Sequence, residues 1–353
     1  MTGLRFQGIT RQFGARRAVD GVDLTIQPGE FFSLLGPSGS GKSTLLRIAA
    51  GLEKPDAGKV MLGERDITVL PPQERGIGMV FQNYALFPHM TVAENVSFGL
   101  RLRKLPPPEI AARTDEVLTR VALVDRKHAN VASLSGGEQQ RVAVARALVI
   151  EPDVLLFDEP LSNLDVTLRQ RTRMEIRALQ KRTGITTLYV THDQAEALSI
   201  SDRVAVIRNG RVEQVGTPSE LYYAPATAFV ASFLGWDNTF EGIVDSGEQA
   251  VKLKDLPVVL PGAFAGVRSG AVHVLLLPEM VHVVPEGTEA WLTGSVESFE
   301  FRGASVVLAI RLGAVVLQAT VTGDAARLPW SEGQRVGIDI DWKPAKVFPK
   351  DTL

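Results

Sequence analysis

The residues best suited to chemistry are gathered in three short stretches. Gly36-Pro37-Ser38-Gly39-Ser40-Gly41-Lys42-Ser43-Thr44 has the spacing G-x-x-x-x-G-K-[ST]. Its glycines let backbone N–H groups turn inward around a phosphate. A helix opening at Ser43 and Thr44 then presents its free N–H groups and positive dipole end to the same anion. Lys42 suits the β- and γ-phosphates of a nucleoside triphosphate, and the Ser43 hydroxyl suits Mg²⁺. Val154-Leu155-Leu156-Phe157-Asp158-Glu159-Pro160 is an apolar run ending in two carboxylates. Asp158 can hold Mg²⁺ through water, and Glu159 can act as general base for a water attacking the terminal phosphate. Ser135-Gly136-Gly137-Glu138 precedes an Ala- and Val-rich helical run. It is a second helix N-terminus able to meet an anion, although Ser before a helix is also an ordinary N-cap. Residues 36–44 already form a complete phosphate cradle, so the second one suggests service to a neighbouring chain's nucleotide. The reaction implied is phosphoryl transfer to water.

These stretches need a scaffold of buried strands leading into helices. Apolar runs at 31–35, 78–81, 154–157, 187–191 and 204–207 alternate with helical segments such as 43–50 and 174–181, which predicts an α/β fold on a largely parallel buried sheet. The phosphate loop follows the first run, and the two carboxylates end the third. Strand ends are where ligands sit in open α/β sheets. Residues 105–132 stand apart. After three prolines, Ile110, Val117, Leu118 and Val121 recur at helical spacing, so a small helical lobe is expected within about 83–150. After Asn238 the pattern turns to short β-rich runs separated by Gly and Pro, which predicts an all-β barrel over residues 239–353. The stretches 270–281 and 333–347 echo one another, as two half-barrels would.

Bulk properties narrow the function. The chain has 353 residues, room for two domains, here 1–238 and 239–353. Its 38 basic and 40 acidic residues leave a net charge of −2, which gives no electrostatic reason to expect nucleic acid as the main partner. With no cysteine, disulfides and thiolate metal sites are excluded. No run approaches the roughly 18 apolar residues of a membrane span; the run 142–150 is broken by Arg146. Arg5 and Gln7 interrupt the first apolar run, which therefore lacks the core of a signal peptide. If the chain works at a membrane, other subunits supply the spans.

Leu134-Ser135-Gly136-Gly137-Glu138, lying between the phosphate loop and the Asp158 strand, resembles the signature motif of ABC ATPases. Gln82 resembles that family's Q-loop glutamine, Ser162-Asn163-Leu164-Asp165 its D-loop, His192 its switch histidine and Phe13 its adenine-stacking aromatic. The resemblance spans about 235 residues. It implies an ABC-type P-loop NTPase cassette in which two copies pack head to tail as a homodimer with ATP and Mg²⁺ between them. Lys42, Ser43, Gln82, Asp158, Glu159 and His192 would come from one copy, with Gln82 also near the metal, and Ser135 and Gly137 from the other. The segment 83–88 and the helical lobe would face a membrane permease. The C-terminal barrel resembles the oligonucleotide/oligosaccharide-fold-like (TOBE) domain of importers fed by a solute-binding protein, where it regulates activity or holds the dimer together; Leu277 stands where relatives often carry Arg. The resemblance therefore implies a peripheral subunit on the cytoplasmic face of the membrane. Residues 233–242 look more like the ferric-iron and polyamine branches than the sugar branch, with sulfate importers as a further alternative. Soluble ABC ATPases of translation carry two cassettes in one chain, and those of DNA repair a long coiled-coil insert; neither feature is present.

Overall fold

The computed structural model describes residues 2–162, 164–245, 250–261, 269–286, 288–327 and 329–350. The chain divides into two units, Met1–Ala224 and Pro225–Leu353. Hydrophobic alternation builds the first layer of the first unit. Leu4, Phe6 and Ile9 are buried along β1 (Leu4–Phe13), and Val19, Val22, Leu24 and Ile26 along β2 (Arg16–Ile26). This is the period-two pattern of strands with one face on a core. Next along the chain come β3 (Phe31–Leu35), which belongs to the central sheet, and α1 (Lys42–Ala50), followed by β4 (Ala57–Leu62) and the short β5 (Arg65–Asp66), which return to this layer. The four outer strands pair antiparallel in the order β2-β1-β4-β5. The sequence reading missed this sheet, although the alternation in residues 4–26 signals it.

The central sheet adds β6 (Ile77–Val80), then, beyond α2 (Val92–Leu102), α3 (Pro107–Arg120) and α4 (Gly136–Leu148), β7 (Val154–Asp158). After α5 (Val166–Thr183) come β8 (Thr186–Thr191), α6 (Gln194–Ile200), β9 (Arg203–Arg208), β10 (Arg211–Gly216) and α7 (Pro218–Tyr223). The strand order is β10-β9-β3-β8-β7-β6, parallel except for β10. Every residue of β3, β7 and β8 is buried, as continuous apolar runs in a sheet covered on both faces require. Neighbours along β3 face opposite ways. Phe31 packs with Phe157, Tyr189 and the helical lobe, while Phe32 packs with Leu45, Leu46 and the antiparallel sheet. The expected lobe is present. Val117 and Leu118 of α3 and Val121 just beyond it are buried against α2 and α4, with Ile110 packed at their margin.

Arg75 fixes the far end of the phosphate-loop helix. It is 1% exposed and donates to the carbonyls of Ile48 (2.7 Å), Ala49 (2.9 Å), Thr68 (2.8 Å) and Leu70 (2.8 Å). The first two belong to the last turn of α1, whose carbonyls have no partner within the helix, and a cation there also complements the dipole.

In the second unit α8 (Ala228–Phe233) packs against β14, so residues from Pro225 onward group with the β-rich region although the composition changes only at Asn238. Its strands are β11 (Asn238–Asp245), β12 (Ala250–Leu253), β13 (Val259–Pro261), β14 (Gly270–Leu276), β15 (Val281–Pro285), β16 (Leu292–Phe301), β17 (Ser305–Leu312), β18 (Val315–Thr322), β19 (Arg335–Ile340) and β20 (Lys346–Pro349). They form two antiparallel five-stranded sheets, β13-β12-β11-β14-β20 and β15-β19-β16-β17-β18. The two echoing stretches of sequence pair with one another. Val272 opposes Pro349 and Leu275 opposes Lys346 in one sheet; Val281 opposes Ile340 and Pro285 opposes Val336 in the other. The register is the same throughout, so a single two-stranded ribbon runs through both sheets. Buried Asn238 adds a second tie, donating to Gln318 O (2.8 Å) and accepting from Gln318 N (2.7 Å).

Candidate active site

The loop after β3 opens on a cleft of about 310 Å³ lined by Phe13, Arg16, Ala18, Ser38, Gly39, Gly41, Lys42, Ser43, Thr44 and Glu159. Gly41 is obligatory at its place. Its φ is 105°, and a Cβ there would lie 2.1 Å from the Ala18 carbonyl oxygen. Lys42 is 4% exposed, and its ammonium donates to the carbonyls of Gly36 and Pro37, each at 2.8 Å, with the hydroxyl of buried Ser40 at 3.4 Å. Burial lowers its pKa, and the nearby carboxylates of Glu159 and Asp158 oppose that shift. A cation held by neutral carbonyls beside an open cleft is prepared for an anion. Arg16 reaches the same loop, donating to Gly39 O. The sequence reading missed it, because a single basic residue three positions past Phe13 carries no motif. Phe13 lies half-exposed on the cleft wall with the Arg11 guanidinium 4.7 Å from its ring centre.

The two carboxylates at the end of β7 have different surroundings. Asp158 is 6% exposed and accepts from Ser43 Oγ at 2.9 Å. Burial raises its pKa, and the Ser43 bond works the other way. Glu159 has a φ of 44°, a left-handed backbone that costs a non-glycine residue about 1 kcal/mol. Its N–H donates to Val190 O on the neighbouring strand (3.0 Å), which helps to hold the turn, and its Oε2 lies 3.0 Å from His192 Nδ1. Gln82 donates to Ser162 Oγ (3.2 Å), and that hydroxyl donates to the carbonyl of Glu159 itself (3.0 Å). A pocket of about 50 Å³ lies beside the pair, bounded by Glu159, Ser162, Arg169, Thr191, His192, Asp193 and Glu196, enough to admit water.

Two of those wall residues escaped the sequence reading. Glu196 is buried, accepting from Tyr189 Oη (3.0 Å) and Thr191 Oγ1 (2.8 Å), and burial raises its pKa. Arg169 donates to Leu164 O (3.1 Å) and stands 3.6 Å from Asp193 and 4.0 Å from Glu196. It therefore joins the segment after β7 to the segment that carries His192. Their side-chain types are common on helix faces, and only the fold brings them to the site.

Ser135 caps α4. Its hydroxyl accepts from Glu138 N, and Glu138 reaches back to Ser135 N (2.9 Å), a reciprocal capping box. Glycine serves at 136 and 137 because the helix start lies on the chain after β7. Added Cβ atoms would stand 3.0 Å from Leu164 and from Leu168, respectively. Asp165 caps α5 by accepting from Leu168 N (3.0 Å); Asn163 lies outside the described residues. Residues 135–138 do not line the 310 Å³ cleft of their own chain.

The family described as ABC transporter matches residues 19–162, and the TOBE domain family matches 274–348. The spermidine/putrescine import ATP-binding protein PotA of Marinobacter nauticus is 44% identical over 324 residues, covering 88% of this chain and 85% of that protein. The chain belongs to the ABC transporter ATP-binding proteins. The Fe(3+) ions import ATP-binding protein FbpC of Rhizobium etli is 47% identical over 304 residues, 85% of either chain. An uncharacterized ABC transporter ATP-binding protein of Escherichia coli, YdcT, is 43% identical over 350 residues, 98% of this chain and 97% of that one. Among solved structures, a component of the ABC transporter complex cbiONQ of Clostridium perfringens matches with a TM-score of 0.58 at 34% identity, covering 62% of this chain and 89% of its own. An ATP-binding cassette solved as a dimer in a post-hydrolysis state with ADP and Pi matches at 0.54 and 33%, over 61% of this chain and 98% of its own. As an ABC ATP-binding protein with a TOBE domain, the chain is an ATPase, and no helix among the described residues is long and apolar enough to cross a membrane.

Proposed function

We propose that this chain is the ATP-hydrolysing motor of an importer, working as a head-to-tail homodimer beneath a membrane permease that receives solute from a binding protein. The observation that carries the chemistry is the contact between Glu159 and His192 beside a water-sized pocket, reached from the same cleft as Lys42. In this reading the triphosphate lies along residues 36–44, with Lys42 and the α1 N-terminus against its β- and γ-phosphates and Phe13 against the base. Glu159 takes the proton of the attacking water as the new P–O bond forms and the bond to ADP breaks. His192, hydrogen-bonded to Glu159, orients that carboxylate, and Gln82 and Ser162 steady its peptide. Ser43 and Asp158 offer oxygen ligands of the kind Mg²⁺ takes, and they already touch at 2.9 Å. When bound, the metal neutralises charge on the phosphate oxygens.

Ser135, Gly136 and Gly137 complete the site of the partner copy. This assignment is supported by their absence from the cleft of their own chain and by the dimeric cassette among the structural relatives. The cargo proposed is a polyamine or ferric iron, as the names of the spermidine/putrescine and Fe(3+) import relatives suggest, and the subunit would sit peripherally on the cytoplasmic face of the membrane. The test is complementation. Lys42→Ala and Ser135→Arg are each prepared and each found nearly inactive, then mixed. Recovery of ATP hydrolysis means that one intact site has formed from two chains; failure at every mixing ratio, with or without the permease, rejects the composite site.

A further inference from the structure

A second cleft of about 310 Å³ lies between α4 and α5, sharing no lining residue with the nucleotide cleft. Its walls are apolar, from Val144 on α4 and Ile176 and Leu179 on α5. Arginines surround them: Arg120 at the end of α3, Arg141 on α4, and Arg171 and Arg182 on α5. The single acidic residue in the lining, Glu175, is divided between Arg141 (3.6 Å) and Arg171 (3.1 Å). In a chain of net charge −2, this is a local excess of positive charge around an apolar hollow of ligand size.

Gln140, 0% exposed, also lines this cleft, and neither atom of its amide has a hydrogen-bond partner; nor does the Nε of Arg141. Buried polar groups are normally paired, and an orphaned one is costly. Gln180 of α5, 4% exposed, follows the rule: it donates to Gly29 O (2.8 Å) and Ile185 O (3.0 Å) and accepts from Arg177 (2.8 Å). The two unpaired donors beside this cleft, Gln140 Nε2 and Arg141 Nε, with guanidinium groups around it, match a ligand whose anionic head accepts hydrogen bonds and whose body is apolar.

We propose that the α4–α5 cleft binds a small anion, a carboxylate or phosphate monoester carried on an apolar ring or chain, and that its occupancy regulates ATP hydrolysis. Gln140 lies little more than one turn beyond Ser135 and Gly136, and α5 starts at the segment on which that helix end rests. A ligand wedged between the two helices therefore sets the position of the signature helix against the core. The regulatory half of the proposal rests on the composite-site reading; the binding half does not.

The probes are 1-naphthyl phosphate and 1-naphthoate, with neutral 1-naphthol as the charge control, titrated calorimetrically into the full chain. At least one anion should bind with a Kd on the order of 0.1 mM, within the range for a ligand of that size, and naphthol at least about tenfold more weakly. Which anion binds tighter separates phosphate from carboxylate chemistry. Ala178→Trp, placed on an exposed wall position so that the core is untouched, should block binding. Arg171→Glu, at a rim position 76% exposed, should weaken it about tenfold. Lys42→Ala should leave it unchanged, and excess ATP should not compete. The bound anion should change the ATPase rate at least about twofold in the wild type and leave Ala178→Trp unaffected. Absence of binding at 1 mM of probe, as an approximate ceiling for a specific site, overturns the proposal. So does binding that ATP displaces and Lys42→Ala abolishes. Binding at the cleft with no effect on ATPase overturns its regulatory half.

Discussion

Replacing Arg75 with Met tests whether the phosphate-loop helix depends on a cation that no motif identifies. The side chain is 1% exposed and makes four hydrogen bonds of 2.7–2.9 Å to carbonyls. Ile48 O also accepts from Gly51 N (3.2 Å), so three carbonyls, those of Ala49, Thr68 and Leu70, bear most of the loss. Bonds to a charged donor contribute about 1.5–3 kcal/mol each, and the charge at the helix C-terminus adds up to about 2 kcal/mol. Against this stands the several kcal/mol recovered by no longer burying a guanidinium. The net expectation is a loss of about 3–5 kcal/mol, a large share of the 5–15 kcal/mol typical of a domain. At an m-value of about 3 kcal/mol/M, the urea midpoint falls by about 1–2 M. The assay can separate the units, because all four tryptophans, Trp236, Trp291, Trp330 and Trp342, lie in the second. The loss should appear in the helical circular-dichroism transition. Arg75→Lys should recover part of it, since one ammonium reaches fewer carbonyls. An Arg75→Met midpoint within about 0.3 M of wild type, equivalent to less than about 1 kcal/mol, would refute the capping argument.

Three further outcomes are expected. Glu159→Gln should keep ATP affinity in an equilibrium titration while lowering turnover by about 100-fold or more, because the water loses its base and the phosphate contacts persist; turnover within a few-fold of wild type rejects that role. Arg169→Met should lower kcat by about tenfold with little change in KM, as expected for a group that positions the catalytic segment rather than binding substrate, and Arg169→Lys should fall between. A raised KM at constant kcat would contradict it. Glu241 accepts from Lys254 and Lys350 and is held down to about 2. A carboxylate depressed in the folded state stabilises it above the unfolded pKa of about 4.5 and loses that contribution as pH falls towards 2. Glu241→Gln should lower the tryptophan-detected urea midpoint at pH 7 and flatten its fall between about pH 4.5 and 2, so that variant and wild type converge near pH 2; an unchanged difference across that window would contradict it.

The central sheet and the phosphate loop were legible in the sequence because parallel strands buried on both faces read as unbroken apolar runs, and because Gly41, Lys42 and Ser43 have few substitutes at their positions. The antiparallel sheet of residues 4–66 was overlooked although its alternation is plain; its bulges, between Phe6 and Ile9 and again before Phe13, break the count of two. In the second unit the sequence showed only a β-rich pattern, because runs as short as β12 and β13, of four and three residues, carry too little alternation to be placed one by one. The site divides along the same line. Gln82, Glu159 and His192 follow strand ends, where motif and position coincide. Arg16, Arg75, Arg169 and Glu196 act through contacts with residues distant in the chain or on other elements, and spacing along the sequence cannot report those.

The ribbon that runs through both sheets of the second unit has a consequence for the order in which the protein is made. Its paired residues are about fifty to eighty positions apart, so β14 and β15 leave the ribosome long before the strands that complete them. Until residues 335–349 emerge, each of the two sheets lacks a strand at the same moment, and neither can close ahead of the other. The first unit holds a longer wait of its own, since β3 pairs with β8 and β9 about 155–170 positions further on, but all of its strands have emerged by residue 216. Non-local pairing slows folding, and a waiting strand edge is open to other chains. Translation paused shortly before residue 335 would therefore leave both sheets of the second unit with an unpaired edge at a stage when every strand of the first unit has already emerged.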